Sequence, residues 1–358
     1  MKDEFSVTDI AGLPVEEKIP FSLTRATFLI TIPSFVHGYV VGALNECLVT
    51  GDNDDGERCY NGDDDGSASE RCPRGTIYND IRLSTADAQL ATSLIIVGAY
   101  VGCLLGSTVS ERFGRKKGIV WNNLFFIVGA LMCGLADSIE VIFVGRAITG
   151  LGFGIETVVV PVLLSEVARP ENRGKLTTMH QLQLTLGIMV VGIVSYVFVI
   201  YVDQGWRYVQ LFYAVPCMLM IALSCYIPES PKYLVALGRL DEAEEALRLV
   251  RSPNFDVAAE LEMLVETERD ENKHRALEAE AEPTWAEVFA CKKAVIIGIG
   301  LQLSGAFTGI NTIMLYSATI FGFANVDDPV LAAAFVGIVN VLSTLVSLQL
   351  MDKHGRRT

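Results

Sequence analysis

Four carboxamide side chains lie within otherwise apolar stretches of the sequence, at Gln181, Gln302, Asn311 and Asn340. A carboxamide both donates and accepts hydrogen bonds, which suits a ligand that carries hydroxyl groups. A polar group in an apolar environment costs free energy unless it faces a cavity or a partner. Each of the four therefore lines a binding cavity or bonds a neighbouring helix. Gln183 is two residues from Gln181, so on a helix it points away, and we expect it to bond another helix.

Acidic and basic side chains stand at the ends of the same apolar stretches. The set is Arg112, Arg115, Glu166, Arg173 and Glu229. Acid–base pairs between helix ends can hold two helix bundles together in one conformation and separate in another, which is the chemistry of a gate. The alternative is that these charges only fix the orientation of the helices. We expect that more limited role for Lys116, Lys117 and Lys175.

Membrane-spanning helices are needed to position these side chains. Hydrophobic residues make up 51% of the 358 residues, and the mean hydropathy is +0.39, which is too apolar for an ordinary soluble enzyme. The apolar runs have the length of about twenty residues that crosses a bilayer. The sequence therefore predicts an all-α, multi-pass integral membrane protein. We expect eight spans, at 26–49, 88–110, 118–136, 139–165, 176–202, 207–227, 294–323 and 330–351.

The positions of lysine and arginine predict the orientation of these spans. Basic residues follow spans two, four and six, so they all lie on one side, which is expected to be the cytoplasm. The N-terminal segment 1–25 is then cytoplasmic, and the acidic loop 50–87 is extracytoplasmic. That loop contains Cys59 and Cys72, so we expect a disulfide between them, with two free thiols as the alternative.

The same loop contains an acidic run, Asn61–Gly66, that resembles the beginning of a calcium-binding EF-hand loop. The twelfth position, where a bidentate glutamate is required, is Cys72, and no flanking amphipathic helix is evident. We therefore expect a flexible acidic loop without a bound metal.

The rest of the composition excludes other classes of protein. The net charge of −14 is concentrated in 51–87 and 241–287, as expected of hydrated surfaces. No basic patch with interleaved aromatic residues is present, so a nucleic-acid partner is not predicted. The histidines form no recognisable site with a serine or cysteine nucleophile, so an enzyme is not predicted either. They are His37, His180, His274 and His354.

Several motifs occur in a fixed order at the ends of the predicted spans. They are Glu111–Lys117, with a shorter copy at Asp352–Arg357; Arg146 and Gly150–Gly154; Ser165-Glu166; Arg173-Gly174; Pro228–Leu234; Gln302; Gly309-Ile310-Asn311; and Tyr316. With these motifs, the sequence from Phe28 to Thr358 resembles the sugar porter family of the major facilitator superfamily.

The resemblance implies a major facilitator fold with eight of the usual twelve transmembrane helices present, so the chain is expected to stop after the eighth span. It implies a six-helix N-terminal bundle at 26–227, a cytoplasmic helical linker at 228–293 and the beginning of a C-terminal bundle at 294–358. The implied function is transport of a hexose or related polyol by alternating access, in the plasma membrane and without a cofactor. The four carboxamides at Gln181, Gln302, Asn311 and Asn340 would then contact the sugar.

Two departures from the family pattern bear on the substrate and on energy coupling. Gly305 and Ala306 replace a pair of glutamines that hexose-binding members usually carry, which removes hydrogen-bonding capacity. Val40 stands where proton-coupled members place an aspartate, so facilitated, uncoupled transport is expected. Arg146 then needs another counter-charge, for which Glu46 and Glu156 are the candidates. For Glu156, the alternatives are a proton relay and a structural ion pair or water-filled niche.

Two further interpretations stay open. The chain could be a non-transporting sugar sensor, because the paired glutamines and the last spans are missing. It could also be an incomplete transporter without activity of its own.

Overall fold

The computed structural model describes residues 20–48, 75–77, 80–81, 83–169, 172–278, 292–309, 312–313, 316–317, 320–321, 324, 326 and 329–354. These residues are helical or irregular, and no strand occurs among them. The all-α class is confirmed. The disulfide expected between Cys59 and Cys72, the acidic run Asn61–Gly66 and the sugar contact expected at Asn311 lie outside the described residues.

The helices in chain order are α1 (Phe21–Ile30), α2 (Ile32–Ala43), α3 (Thr85–Phe113), α4 (Arg115–Gly134), α5 (Ile139–Val167), α6 (Arg173–Tyr201), α7 (Gly205–Phe212), α8 (Ala214–Ala222), α9 (Pro231–Ala236), α10 (Leu240–Val250), α11 (Val257–Glu278), α12 (Lys292–Phe307) and α13 (Pro329–His354). Six helical segments of the described chain are long and apolar enough to cross a membrane. They are Phe21–Cys47, Ala86–Phe113, Arg115–Gly134, Ile139–Val167, Arg173–Tyr201 and Val330–Gln349. These segments correspond to predicted spans one to five and eight.

The sixth predicted span is not one continuous helix. It is divided into α7 and α8 at Tyr213, three residues before Pro216. Proline has no N–H to donate to the carbonyl four residues earlier, and its ring crowds that carbonyl, which here belongs to Phe212. Pro33 has the same effect on the first span, where α1 ends at Ile30 and α2 begins after Thr31. For predicted span seven, the structure describes the shorter helix α12 and only parts of the chain after it.

Glycine allows the closest helix contacts of the N-terminal half. Gly102 of α3 and Gly154 of α5 face each other, and a Cβ atom on Gly154 would overlap the carbonyl oxygen of Ala99. Gly38 of α2 and Gly187 of α6 bring those two helices together in the same way. Small residues at these positions therefore let the neighbouring helix backbones approach closely.

One further contact attaches the C-terminal helix to this bundle, and another holds together the helices of the segment 228–278. Gly337 of α13 packs against the backbone of Met189 in α6. In the segment 228–278, Leu234 of α9 and Ala243 of α10 share an apolar cluster with Leu261 of α11. These three helices thus bury apolar side chains on one another.

Candidate functional site

A carboxylate occupies the N-terminus of α4, on the side predicted to be cytoplasmic. Glu229 Oε1 accepts hydrogen bonds from the backbone N–H groups of Arg115 (2.9 Å), Lys116 (3.0 Å) and Ser230 (3.0 Å). The first N–H groups of a helix have no partner within the helix, so an anion is stabilised there. Gly114, which joins α3 to α4, has φ +89°, and a side chain on it would collide with Glu229. The glycine in this turn therefore leaves the space that the Glu229 carboxylate occupies.

Arg115 joins three parts of the chain at the same place. Its Nε and Nη2 atoms donate to Glu166 at the end of α5, at 3.0 Å each, in the two-pronged geometry that favours arginine. Its guanidinium carbon lies 4.8 Å from the ring centroid of Tyr233 in α9. The side chains of Arg115 and Glu166 are 16% and 13% exposed, so the pair is largely shielded from water. It therefore contributes more to stability than an ion pair on the surface does.

The other two predicted gate residues are arranged differently. Arg112 at the end of α3 and Arg173 at the beginning of α6 are both exposed. Neither forms an ion pair with any described residue. The structure thus connects Arg115, Glu166 and Glu229 in one cluster and leaves Arg112 and Arg173 at its edge.

The segment 228–278 is fixed to α5 by a second arginine that sequence reasoning missed. Arg251, at the end of α10, pairs with Glu260 of α11 at 2.7 and 2.8 Å and donates to the carbonyl of Val167 at 3.0 Å. Arg169, just beyond α5, stacks on Phe255 at 4.8 Å. Both contacts involve the end of α5 that also carries Glu166.

The predicted sugar-contacting residues lie on three different helices. Gln181 is exposed on α6, Gln302 is within α12, and Asn340 is half-buried on α13. Because α6 and α13 pack directly together, Gln181 and Asn340 are on adjoining helices. Gln183 is buried, as expected for the opposite face of α6.

A buried polar cluster in the middle of the N-terminal bundle was not predicted as a unit. Oγ of Ser34 donates to Glu156 Oε1 at 2.6 Å and lies 2.7 Å from Nδ1 of His180. Nδ1 of His37 lies 2.8 Å from Glu156 Oε2, and Nδ1 of His180 lies 3.4 Å from Oε1. The four residues come from α2, α5 and α6, so no sequence spacing could indicate that they meet.

The counter-charge expected for Arg146 is absent from the described residues. Arg146 donates to the carbonyl oxygens of Ala91 and Val40, at 3.3 Å each, and its Nη2 atom has no described partner. Glu156 binds the two histidines, and Glu46 accepts from Ser317 at 3.4 Å. The expectation that one of these glutamates pairs with Arg146 was wrong. Glu156 has the imidazoles of His37 and His180 as its partners instead.

Comparison with known proteins gives a consistent result. A family model described as sugar (and other) transporter matches residues 26–358. The chain is 35% identical over 276 residues to facilitated glucose transporter member 2 of Gallus gallus, covering 75% of this chain and 50% of that protein. It is 34% identical over 285 residues to the probable metabolite transport protein CsbC of Bacillus subtilis, covering 78% and 59%. The chain thus spans about half to three-fifths of these two relatives.

A solved structure shares the fold. The major facilitator superfamily proton:xylose symporter XylE, bound to 6-bromo-6-deoxy-D-glucose, superposes with a TM-score of 0.72 at 21% identity. The match covers 94% of this chain and 70% of that one. The described helices therefore have the major facilitator fold, and the chain belongs to the sugar (and other) transporter family, whose members are transporters rather than enzymes.

Proposed function

We propose that this protein moves a hexose or a related polyol across a membrane by alternating access. The observation that carries the proposal is the placement of carboxamides on adjoining helices, with Gln181 exposed on α6 and Asn340 half-buried on α13. Carboxamides match the hydroxyl groups of a sugar, which donate and accept in the same way. Gln302 and Asn311 complete the proposed set of contacts. The names of the relatives, which include a glucose transporter and a xylose symporter, support the same substrate class.

We further propose that transport is facilitated and not driven by protons. Val40 has no titratable group, and Arg146 binds the backbone carbonyl of Val40 instead of a carboxylate. An arginine held by carbonyls keeps its charge throughout a transport cycle, so nothing at this position gains or loses a proton. Movement of protons with the sugar would contradict this part of the proposal.

The gate proposal concerns the cytoplasmic end of the molecule. Arg115, Glu166 and Glu229 would hold the ends of α4, α5 and the segment before α9 together in one conformation. Arg112 and Arg173 are exposed beside them and would take partners in another conformation, when the two bundles meet differently. The loop 50–87, with a disulfide between Cys59 and Cys72, would be extracytoplasmic, and the N-terminus cytoplasmic, in the plasma membrane.

Equilibrium exchange of a radiolabelled hexose in liposomes containing the 358-residue chain tests the proposal. We expect saturable exchange, and we expect Gln181→Leu to raise KM by about tenfold, the equivalent of one or two lost hydrogen bonds. Gln183→Leu is the matched control, because Gln183 is buried on the other side of α6. Its KM should stay within about twofold of the wild-type value.

Other outcomes identify the rival functions. Saturable hexose binding without exchange would contradict transport and indicate a sugar sensor. Neither binding nor exchange would indicate that this chain has no activity of its own. Equal KM values for the Gln181 and Gln183 variants would remove Gln181 from the site.

A further inference from the structure

The polar cluster of Ser34, His37, Glu156 and His180 is unusual in its depth. Glu156 is fully buried in α5, eleven residues before the helix ends at Val167, or about 16 Å along the axis. The ring of His37 also packs on Phe153, with centroids 3.8 Å apart. The cluster therefore lies in the apolar interior of the bundle, where an isolated charge is costly.

The contacts within the cluster determine which of the four side chains donate hydrogen bonds and which accept them. An ionised Glu156 only accepts, so Nδ1 of His37 must carry the hydrogen that points to Oε2. Ser34 donates to Oε1, and its oxygen can then accept from Nδ1 of His180. Every close contact is satisfied when both imidazoles are neutral. In that state the cluster carries one uncompensated negative charge.

No other described group balances that charge. On α5 itself, Arg146 is ten residues away, about 15 Å along the axis, and it donates to backbone carbonyls. On α3, the nearest titratable group is Cys103, whose thiol faces the carbonyl of Gly154 at 3.5 Å. The titratable groups that α2 and α6 direct at Glu156 are His37 and His180. One additional proton on either imidazole makes the cluster neutral.

We propose that the cluster of Ser34, His37, Glu156 and His180 is a proton-binding site whose occupancy sets the rate of sugar exchange without driving it. The inference rests on the transport function proposed above. Histidine is the side chain that ordinarily exchanges a proton between about pH 5 and 8. His180 gives the proton a route, because its side chain is 17% exposed whereas that of Glu156 is fully buried.

The neighbourhood of His180 predicts the direction of the effect. His180 directly precedes Gln181, the proposed sugar contact on α6. Closing the protein around the sugar removes water from this neighbourhood, and that step costs more when the cluster is charged than when it is neutral. Exchange should therefore be faster at acid pH, when the cluster holds the proton.

The position of the cluster also explains why the proton would not travel with the sugar. All its hydrogen bonds join α2, α5 and α6, and none involves a described residue of α12 or α13. Coupling requires that proton affinity differ between the two conformations. Rocking of one bundle against another leaves bonds within a bundle unchanged.

The transport test is hexose exchange in liposomes at equal pH on both sides. For the wild-type chain we expect the exchange rate to rise by about fivefold from about pH 8 to about pH 5.5. This change corresponds to only a small part of the free energy that burying an uncompensated charge costs. Glu156→Gln should remove this dependence. The matched control is Glu140→Gln, because Glu140 lies at the exposed beginning of the same helix. A flat wild-type profile, or a Glu156→Gln profile that follows the wild type, would overturn the proposal.

A second measurement reads the site without transport. Nitrogen-15 magnetic resonance of histidine-labelled protein reports imidazole protonation, and the chain has only four histidines. We expect the signal of His180, identified by His180→Asn, to change with pH in the wild-type protein and to respond differently in Glu156→Gln. Titration without exchange would refute the transport function and support the site. Exchange without titration of either histidine would support the transport function and refute the proton-binding site. Protons moving with the sugar would support the site but refute uncoupled transport.

Discussion

At the scale of single residues, Glu229 joins the segment before α9 to the beginning of α4. One carboxylate oxygen accepts hydrogen bonds from three backbone N–H groups, two of which belong to the first residues of α4. The negative charge also interacts favourably with the positive end of the α4 dipole, a contribution of about 0.3 to 1 kcal/mol at a typical site. An amide at this position retains one acceptor oxygen but loses the charge. Neutralising Glu229 therefore weakens the closed arrangement without removing a large side chain.

A cavity beside Glu229, on the side predicted to be cytoplasmic, provides a measurement. Lys116, Cys225, Glu229 and Glu245 line this cavity, and the Cys225 thiol is free and exposed. We expect Glu229→Gln to increase the rate at which a membrane-impermeant maleimide, added on the side predicted to be cytoplasmic, modifies Cys225 by about fivefold, the equivalent of roughly 1 kcal/mol.

The control for this prediction is Glu245→Gln. Glu245 lines the same cavity but is exposed, and it forms no hydrogen bond or ion pair with a described residue. Its replacement changes the local charge equally without touching α4. If both variants label Cys225 at the wild-type rate, Glu229 does not hold the gate closed.

At the scale of helices, the close contact between α3 and α5 allows a direct test of the packing. Gly154 meets the carbonyl of Ala99 and the backbone of Cys103, so a larger residue cannot be accommodated without separating the helices. We expect Gly154→Val to destabilise the folded protein by about 1 to 3 kcal/mol, the usual cost of overpacking. The measurement is the temperature at which half of the detergent-solubilised protein still elutes as a monodisperse peak after heating.

Gly298 of α12 is the matched control for that substitution. Nothing lies within 4 Å of a Cβ atom placed there, so Gly298→Val should leave the midpoint temperature nearly unchanged. Equal losses in the two variants would mean that valine lowers stability through helix propensity and not through the contact with α3.

The packing of helices was more predictable than the pairing of buried polar groups. Apolar runs of span length are local patterns, and they correctly indicated α3 and α5. The division into α7 and α8 follows from Pro216, which a hydropathy pattern does not register because proline changes the backbone and not the polarity.

The Glu156 cluster is a feature that the sequence could not predict. Ser34, His37 and His180 are separated from Glu156 by up to 122 residues, and their meeting depends on how α2, α5 and α6 rotate about their axes. The sequence identified Glu156 as unusual, since an acid within a span needs a partner. It could not show that the histidines are that partner, because the rotation of α2 and α6 decides which of their side chains face α5.

At the scale of the whole molecule, the exposed apolar surface requires a bilayer or further helices. Large side chains such as Tyr100 and Leu104 on α3, Ile296 on α12 and Val339 on α13 are exposed in the protein alone. A surface of this kind is unstable in water but is the normal outer face of a membrane protein. The helices therefore lie within hydrocarbon, and the remaining question is which connections face each side.

Glycosylation can determine the side on which the loop 50–87 lies. The sequence contains no native Asn-x-Ser or Asn-x-Thr acceptor, so an introduced site has no background. Asp63→Thr creates an acceptor at Asn61 in the loop, and His274→Thr creates one at Asn272 in the segment proposed to be cytoplasmic. In a eukaryotic host, only acceptors that enter the secretory lumen are modified. We expect Asp63→Thr to produce a slower-migrating band that endoglycosidase removes, and His274→Thr to migrate as the wild type. A glycan on Asn272 alone would invert the proposed orientation, and with it the assignment of Arg115, Glu166 and Glu229 to a cytoplasmic gate.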